Sequence, residues 1–512
     1  MTTEPPRGDW RDALADEGVP ADAVAALPAV RAIAHDSRQV RPGDLFVCIP
    51  GARADGHDFA AAAVAAGAAA LVFAKGRSDL GERTGVPAVS VANPRAALAA
   101  LAAAHEGYPA RRLAMVGITG TDGKSTTAFL THAALAGAGV TAGLLTTIES
   151  RIGGETVTGL PRLTTQEANV VQRLLGDMVA AGCTHAVVEA TSHGLELHRL
   201  DQCAFDVGVL TNLSSDHLDF HGTMDVYRRA KGRLFGGLGE GGAKAGPAAV
   251  RPRAILNADD PSWRYFAGLT RVQAVTYALD ADADVRAEDV MLWPDGSTFV
   301  VSTGEESVEA SVRLPGRFNV ANATAAITAA AALGLDARLA ASGVAACRGV
   351  PGRMEPIAGA PFGVIVDYAH TPDAMRQVLA TLRPIVDGRL IVVFGAAGER
   401  ARDRRSGLGA AVAAGADFAV ITEEDPRSEP SDAIVDEIAS AMRAGGAAEG
   451  ERFERVVDRR EAIARALAIA TSGDLVLVAG KGHEQSIERA DGSHPWDDRT
   501  VARELIAERF GG

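Results

Sequence analysis

Gly120-Thr121-Asp122-Gly123-Lys124-Ser125-Thr126 follows directly on the apolar run Leu113-Ala114-Met115-Val116-Gly117-Ile118. A buried strand that ends in glycines, a lysine and a hydroxyl is how a chain cradles phosphate. The glycines let backbone N–H groups approach the phosphate oxygens, Lys124 supplies a cation, and Ser125 can ligate Mg²⁺. The general loop of this kind has four residues between its glycines. Here Gly120 and Gly123 are separated by two, and the position five before Gly123 is Ile118. The chain therefore carries a variant of the loop, not the general form. A tight strand-to-helix turn with an exposed lysine would not require these residue types in this order.

At 512 residues the chain is too long for one ordinary core, and about two to four domains are expected. A composition 47% hydrophobic and 23% charged is that of a globular protein. The net charge of −14 disfavours nucleic acid and anionic membranes as partners. A polyanionic substrate must instead meet local basic residues and backbone amides. Cys48, Cys183, Cys203 and Cys347 are scattered, with no CxxC pair, which argues against structural zinc and a disulfide framework and fits a reducing cytoplasm. Met1 to Asp16 is polar, and no apolar stretch reads as a membrane span. A cytoplasmic protein without membrane insertion is expected, acting as a monomer.

Three α/β blocks emerge, at 1–109, 110–350 and 351–512. In the first, Leu45-Phe46-Val47-Cys48-Ile49, Ala70-Leu71-Val72-Phe73 and Ala88-Val89-Ser90-Val91 read as short strands between alanine-rich helices. The second opens with the phosphate loop and adds Ala186-Val187-Val188-Glu189 and Asp206-Val207-Gly208-Val209-Leu210-Thr211. The third alternates Gly363–Asp367, Leu390–Phe394, Phe418–Thr422 and Leu475–Ala479 with helical stretches. Continuous apolar runs of this kind predict strands buried on both faces of parallel sheets. The fold class is thus α/β in three domains, with a central P-loop-type sheet and a C-terminal Rossmann-like sheet. Gly236 to Ala248 reads as a flexible surface insertion. In such sheets ligands sit beyond the carboxyl ends of the strands. That draws attention to Glu189, Asn212, Asp367, Glu399, Asp425 and Lys481.

Glu189 is a strand-end carboxylate able to hold Mg²⁺. Thr211-Asn212-Leu213-Ser214-Ser215-Asp216-His217-Leu218-Asp219-Phe220-His221 is dense in groups suited to metal or phosphate chemistry. Lys231 follows on a helix, where a lone lysine is ordinarily solvated.

Together these segments resemble the Mur ligase family of ATP-dependent amide-forming enzymes, in its branch that extends a UDP-linked muramoyl dipeptide. The resemblance covers nearly the whole chain. It includes Asp36-Ser37-Arg38, Pro42-Gly43-Asp44-Leu45-Phe46, Leu163-Thr164-Thr165, Thr191-Ser192-His193-Gly194-Leu195 with His198-Arg199, Gly316–Ala323, Gly352-Arg353-Met354-Glu355, Asp367–Pro372 and Ala479-Gly480-Lys481-Gly482-His483-Glu484. It implies an enzyme of peptidoglycan precursor synthesis, and so of cell shape and division, that uses ATP and Mg²⁺. Its substrates would be UDP-N-acetylmuramoyl-dipeptide and a diamino acid. The loop Gly120, Thr121, Asp122, Gly123, Lys124, Ser125 and Thr126 would bind ATP, joined by Asn319, Asn322, Arg353 and Asp367. Ser125 and Glu189 would hold one Mg²⁺, His217 would help hold a second, and Lys231 would carry a carbamate supporting the metal site. Ser37, Thr164, Thr165, Ser192 and Arg199 would bind the UDP substrate. Arg400, Asp425, Pro426, Arg427, Gly480 and Glu484 would bind the incoming amino acid. Closure of the domains on ligand binding is implied as well.

The chain departs from the family pattern at Asp122 (often Asn), Ser125 (often Thr), Thr191 (often Ser), Gln166 (often Pro) and Asp425. Ligases that add meso-diaminopimelate carry Asp-Asn-Pro-Arg where this chain has Glu424-Asp425-Pro426-Arg427. Arg427 suits a bidentate grip on the distal carboxylate, whereas the extra acid at Asp425 disfavours that carboxylate. Two arginines against one aspartate favour meso-diaminopimelate over L-lysine or L-ornithine. A divergent Mur-type ligase with another acceptor is the alternative. The Asp36-Ser37-Arg38 block argues against folate-type relatives. The combination of Lys124, Glu189, His217 and Lys231 argues against a non-catalytic homologue, and the glycine spacing against a plain P-loop kinase.

Overall fold

A computed structural model describes residues 9–51, 54–77, 79–157, 165–293, 295–304, 306–399 and 402–511. The chain divides into two compact units. One is built mainly from Met1–Arg286 with Thr324–Gly343, the other mainly from Ala287–Ser302, Ser307–Ala323 and Val344–Gly512. Large, mostly parallel sheets dominate both, as the apolar runs predict.

In the first unit, Ile33–Ala34, Leu45–Val47, Ala70–Ala74 and Ala88–Val91 pair in chain order as a four-stranded parallel sheet. The helix Pro94–His105 follows. Its start is fixed by Pro94 in the first turn and by the Asn93 side chain, which accepts from the backbone of Arg95 and Ala96.

The larger sheet has the phosphate-loop strand Ala114–Thr119 at its centre, every residue buried. Val207–Leu210 pairs with it on one side and His185–Glu189 on the other, both parallel. Arg253–Asn257 and Gln273–Ala278 extend the sheet beyond Val207–Leu210, and Ala142–Leu145 lies beyond His185–Glu189. Antiparallel Ser150–Ile152 and Glu155–Val157 finish that edge. The register pairs Ile118 with Glu189 and Thr119 with Leu210. The segments after these three strands therefore emerge side by side. Gly117 sits where a Cβ would come within 2.7 Å of Leu234 and 2.9 Å of Phe205. Its lack of a side chain lets the helix Met224–Gly236 lie close on the sheet.

The expectation of a free surface insertion at Gly236–Ala248 is corrected. Lys244 turns inward, its side chain 3% exposed, and its ammonium lies 2.6 Å from Asp206 Oδ2. It also donates to the carbonyls of Leu113 (2.9 Å) and Ala204 (2.7 Å). Strand starts leave carbonyls and a carboxylate that need donors, and one ammonium satisfies three of them.

The second unit holds a six-stranded sheet in the order Glu355–Pro356, Gly363–Asp367, Leu475–Ala479, Leu390–Phe394, Phe418–Ile421, Phe453–Arg455. All neighbours are parallel except the first pair. The helices Arg459–Ile469 and Asp498–Phe510 contribute Ala462, Ile463, Ala466, Val501, Ala502 and Ile506 to its core. Two antiparallel hairpins, Gly296–Ser302 with Ser307–Val312 and Ser486–Arg489 with Gly492–Pro495, are additions that the sequence reading does not anticipate.

Candidate functional site

The loop after Ala114–Thr119 is held in a conformation that only its glycines permit. Gly123 adopts φ +78° at the start of the helix Lys124–Gly137. A Cβ on Gly120 would lie 1.9 Å from Thr211 Oγ1. The strand-end residues on the neighbouring strand tie the loop down. Thr121 N–H donates to Asn212 O at 2.9 Å. Asp122 N–H donates to Asn212 Oδ1 at 2.9 Å, and Thr211 Oγ1 donates to Asp122 O at 2.6 Å. Asp122 thus serves through its backbone, while its side chain is exposed. Thr121 Oγ1 accepts from Ser214 N–H (2.9 Å) and lies 3.1 Å from the Tyr227 hydroxyl. Lys124 Nζ folds back to donate to Thr121 O at 2.6 Å. Thr126 is buried on the helix.

Ser125 and Glu189, distant in sequence, are in contact: Ser125 Oγ donates to Glu189 Oε2 at 2.8 Å. Thr147 N–H donates to the same oxygen at 3.2 Å. A hydroxyl and a carboxylate at the phosphate loop are the donor types Mg²⁺ takes alongside water and phosphate oxygens, so these residues fit that ion. Among the described residues no three His, Cys, Asp or Glu side chains converge as a metal-holding group.

Lys231 is 1% exposed and lies against the phosphate loop. Its Nζ donates to Gly120 O at 2.5 Å and lies 4.4 Å from the centre of the Tyr227 ring. Burial first, and then the neighbouring Lys124 charge, hold its pKa well below the usual ammonium range. His217 sits at φ +52° with its Nε2 3.2 Å from Asp216 Oδ2. The His217 ring packs 4.8 Å from that of His193. Burial lowers its pKa, and Lys124 and Lys231 act in the same direction, so the neutral, ligating imidazole is favoured.

Of the residues expected to bind the UDP substrate, Ser37 is half-buried beside Asp36, which takes a two-pronged contact from Arg38 (2.9 and 2.7 Å). Thr165 Oγ1 lies 2.7 Å from Thr191 Oγ1, with both residues buried. Arg199 donates to Thr165 O at 3.0 Å and pairs with Glu167 at 2.5 Å. The Ser192 hydroxyl is buried without a hydrogen-bond partner among the described residues. A small cavity beside this group is lined by Thr146, Ser150, Thr165, Leu174 and Glu189. Thr164 lies outside the described residues. Thr191 and Glu167 join this cluster by contact, and of the two only Thr191, beside Ser192 in the motif, carries a signal in the sequence.

In the second unit, Asn319 and Asn322 are buried one helical turn apart, with Asn322 Nδ2 donating to Asn319 Oδ1 at 3.2 Å. Asp367 accepts from the Met354 N–H (2.8 Å) on one oxygen and from the Ala369 N–H (2.7 Å) on the other. Burial raises its pKa, opposed by Arg353. The Arg353 guanidinium lies over the Tyr368 ring at 4.6 Å.

The expected acceptor residues Asp425, Pro426, Arg427, Gly480 and Glu484 come together after the Phe418–Ile421 and Leu475–Ala479 strands; Arg400 lies outside the described residues. Arg427, at φ +56°, is half-buried, and its guanidinium makes no hydrogen bond or ion pair with any described residue. Pro426 O packs against Gly398, where a Cβ would approach to 2.0 Å. Asp425 Oδ1 accepts from the buried Lys481 ammonium at 2.6 Å and from Glu488 N–H at 2.9 Å. The same ammonium donates to Glu484 Oε2 at 2.5 Å, and Tyr368 donates to Glu484 Oε1 at 3.2 Å. Asp425 is therefore not a free carboxylate, but the one ammonium is shared with Glu484, so the three groups together keep a net negative charge. Glu424, fully enclosed, has its pKa pushed up to about 7 by burial, and one of its oxygens faces Gly480, where a Cβ would lie 3.0 Å away.

A phosphate-binding loop at the centre of a parallel sheet, a hydroxyl–carboxylate pair beside it and a buried lysine beneath it define a nucleotide-binding α/β protein equipped for phosphoryl chemistry. Three domain families match in succession: the Mur ligase family catalytic domain at 29–106, the Mur ligase middle domain at 118–330 and the Mur ligase glutamate ligase domain at 352–482. The chain is 46% identical over 491 residues to a UDP-N-acetylmuramyl-tripeptide synthetase of Roseiflexus sp., covering 95% of this chain and 96% of that one. It is 44% identical to a UDP-N-acetylmuramoyl-L-alanyl-D-glutamate–2,6-diaminopimelate ligase of Streptomyces coelicolor, covering 94% and 93%. A solved structure of a ligase with that same description superposes with a TM-score of 0.66 at 31% identity, covering 94% of this chain and 95% of the other. The chain belongs to the Mur ligase family.

Proposed function

We propose that the chain is an ATP-dependent amide ligase that adds meso-diaminopimelate to UDP-N-acetylmuramoyl-L-alanyl-D-glutamate, the MurE reaction of peptidoglycan precursor synthesis. Membership of the family and the names of its relatives support the reaction class. The observation that carries the choice of acceptor is Arg427, whose guanidinium makes no hydrogen bond or ion pair with any described residue and stands beside an aspartate that Lys481 contacts. A guanidinium in that state is suited to a carboxylate, and of the candidate acceptors only diaminopimelate has a distal one.

In this reading the chain acts as a cytoplasmic monomer of three domains, with boundaries at 1–109, 110–350 and 351–512. No described helix is long and apolar enough to cross a membrane. The loop amides of 120–126 and Lys124 hold the ATP phosphates, with Asn319, Asn322, Arg353 and Asp367 on the nucleotide. Ser125 and Glu189 hold Mg²⁺, with His217 and a carbamate on Lys231 supporting a second ion. When bound, Mg²⁺ offsets the repulsion between two anions that must meet. The D-glutamate side-chain carboxylate attacks the γ-phosphate, giving an acyl phosphate and ADP. Ser37 holds the UDP part of the substrate, and Thr164, Thr165, Ser192 and Arg199 hold its muramoyl-dipeptide arm in line for that attack. Asp425, Pro426, Arg427, Gly480, Glu484 and Arg400 then present the acceptor amine to the acyl carbon, and phosphate leaves. Full turnover is tested by phosphate release from ATP with the UDP-dipeptide and each of meso-diaminopimelate, L-lysine and L-ornithine. Release confined to lysine or ornithine refutes the acceptor assignment.

A further inference from the structure

The two loops that meet in the acceptor region follow strands that are not neighbours. Leu390–Phe394 lies between Leu475–Ala479 and Phe418–Ile421. No ladder hydrogen bond can therefore fix the distance between the loop of Glu424–Arg427 and the loop of Gly480–Glu484. Something must span the intervening strand.

Arg459, the first residue of the helix Arg459–Ile469, does so. Its side chain is fully buried and forms a two-pronged pair with Asp498, itself fully buried, at 2.8 and 2.7 Å. Trp496 Nε1 donates to the same carboxylate at 2.8 Å. That pairing offsets the cost of burying the guanidinium. The remaining donors go to two backbone carbonyls: Nη1 to Glu423 O at 3.1 Å and Nη2 to Ala479 O at 3.0 Å. Glu423 and Ala479 immediately precede Glu424 and Gly480. One rigid, planar fork thus ties together the roots of both loops. Nearer the tips, the Lys481–Asp425 contact joins them a second time.

We infer that Arg459 is a positioning residue of the acceptor pocket, setting the spacing between the Asp425–Arg427 wall and the Gly480–Glu484 wall through the carbonyls of Glu423 and Ala479. The inference rests on the acceptor reading above. It explains why a charged group is maintained in a core of valine, leucine and alanine, where an apolar side chain would fill the space at lower cost.

The test uses the full chain with Arg459→Lys, which keeps the charge but loses the fork, and Arg459→Met. Steady-state kinetics would be read for all three substrates, and amide hydrogen exchange for the substrate-free protein. In Arg459→Lys, the KM for meso-diaminopimelate should rise roughly tenfold or more. The KM values for ATP and the UDP-dipeptide should stay within about twofold. Exchange at 424–427 and at 480–484 should quicken together in both variants. Exchange that changes in one loop alone or in neither, or an unchanged acceptor KM in a variant that merely melts earlier, overturns the inference. The exchange measurement needs no substrate, so it decides on Arg459 even if the wild-type chain fails to turn over diaminopimelate. That failure would instead overturn the acceptor reading.

Discussion

Lys231 Nζ donates a 2.5 Å hydrogen bond to the carbonyl of Gly120, the first glycine of the phosphate loop, across 111 residues of sequence. This contact places a buried, pKa-lowered amine next to the phosphate cradle. A neutral amine is the form that adds CO₂, and the resulting carbamate would be an anion where the Ser125–Glu189 pair offers only one. Lys231→Ala should lose roughly 10²-fold or more in kcat, with partial recovery on adding short carboxylic acids. Full activity in the unrescued variant contradicts the role.

Lys244 and Asp206 give a prediction about stability. Each is nearly enclosed, and the ammonium also satisfies two carbonyls. Lys244→Met leaves a buried carboxylate unpaired and should cost on the order of 3–5 kcal/mol in urea unfolding. Adding Asp206→Asn should recover part of the loss. A single variant as stable as wild type would show that the insertion is not anchored here.

A pH dependence follows from His185, buried at the start of its strand, with its pKa lowered by burial to about 4. The unfolded chain takes up this proton near 6.5, the folded chain only near 4. Between those values the unfolded state binds more protons, so stability falls as pH drops through that window and is constant above it. The contribution is on the order of 3 kcal/mol. His185→Gln should flatten the slope of unfolding free energy between about pH 4 and 6.5. An unchanged slope would show that His185 titrates normally.

Asp425 should tolerate loss of its charge but not of its oxygen. Asparagine can still accept from Lys481 and from the Glu488 amide, so Asp425→Asn should keep kcat/KM for the acceptor within about threefold. Asp425→Ala removes the acceptor atom from a buried ammonium and should raise the acceptor KM by roughly tenfold. Equal effects of the two substitutions would mean that the carboxylate itself contacts substrate.

Much of the fold was legible because its signals are local. The apolar runs at 114–118, 186–188, 390–394 and 475–478 are strands, and the glycines mark a turn, Gly120 where a Cβ would strike Thr211 and Gly123 at φ +78°. The partners of the site residues were not legible, because a burial-dependent contact leaves no local trace. Asp425 reads as an uncompensated acid until Lys481, 56 residues away, is found 2.6 Å from it. Lys244 sits in a Gly- and Ala-rich stretch with every mark of a loose loop, and only the acceptors beneath it explain its burial. Arg459 belongs to no motif that the sequence reading singles out. Its function depends on sheet order, which the strand sequence alone does not fix. The hairpin of Gly296–Ser302 and Ser307–Val312 escaped notice because its strands alternate buried and exposed residues instead of forming a continuous apolar run.

The account's central claim is that the loop at 120–126 serves amide-bond formation to diaminopimelate. The most direct test is ATP-derived phosphate release by the purified chain with UDP-N-acetylmuramoyl-L-alanyl-D-glutamate present, the acceptor varied, and the tripeptide product weighed by mass spectrometry. The account predicts stoichiometric phosphate and a UDP-linked tripeptide with meso-diaminopimelate, falling sharply in Arg427→Ala, and little product with L-lysine. Product with L-lysine and none with meso-diaminopimelate would contradict it.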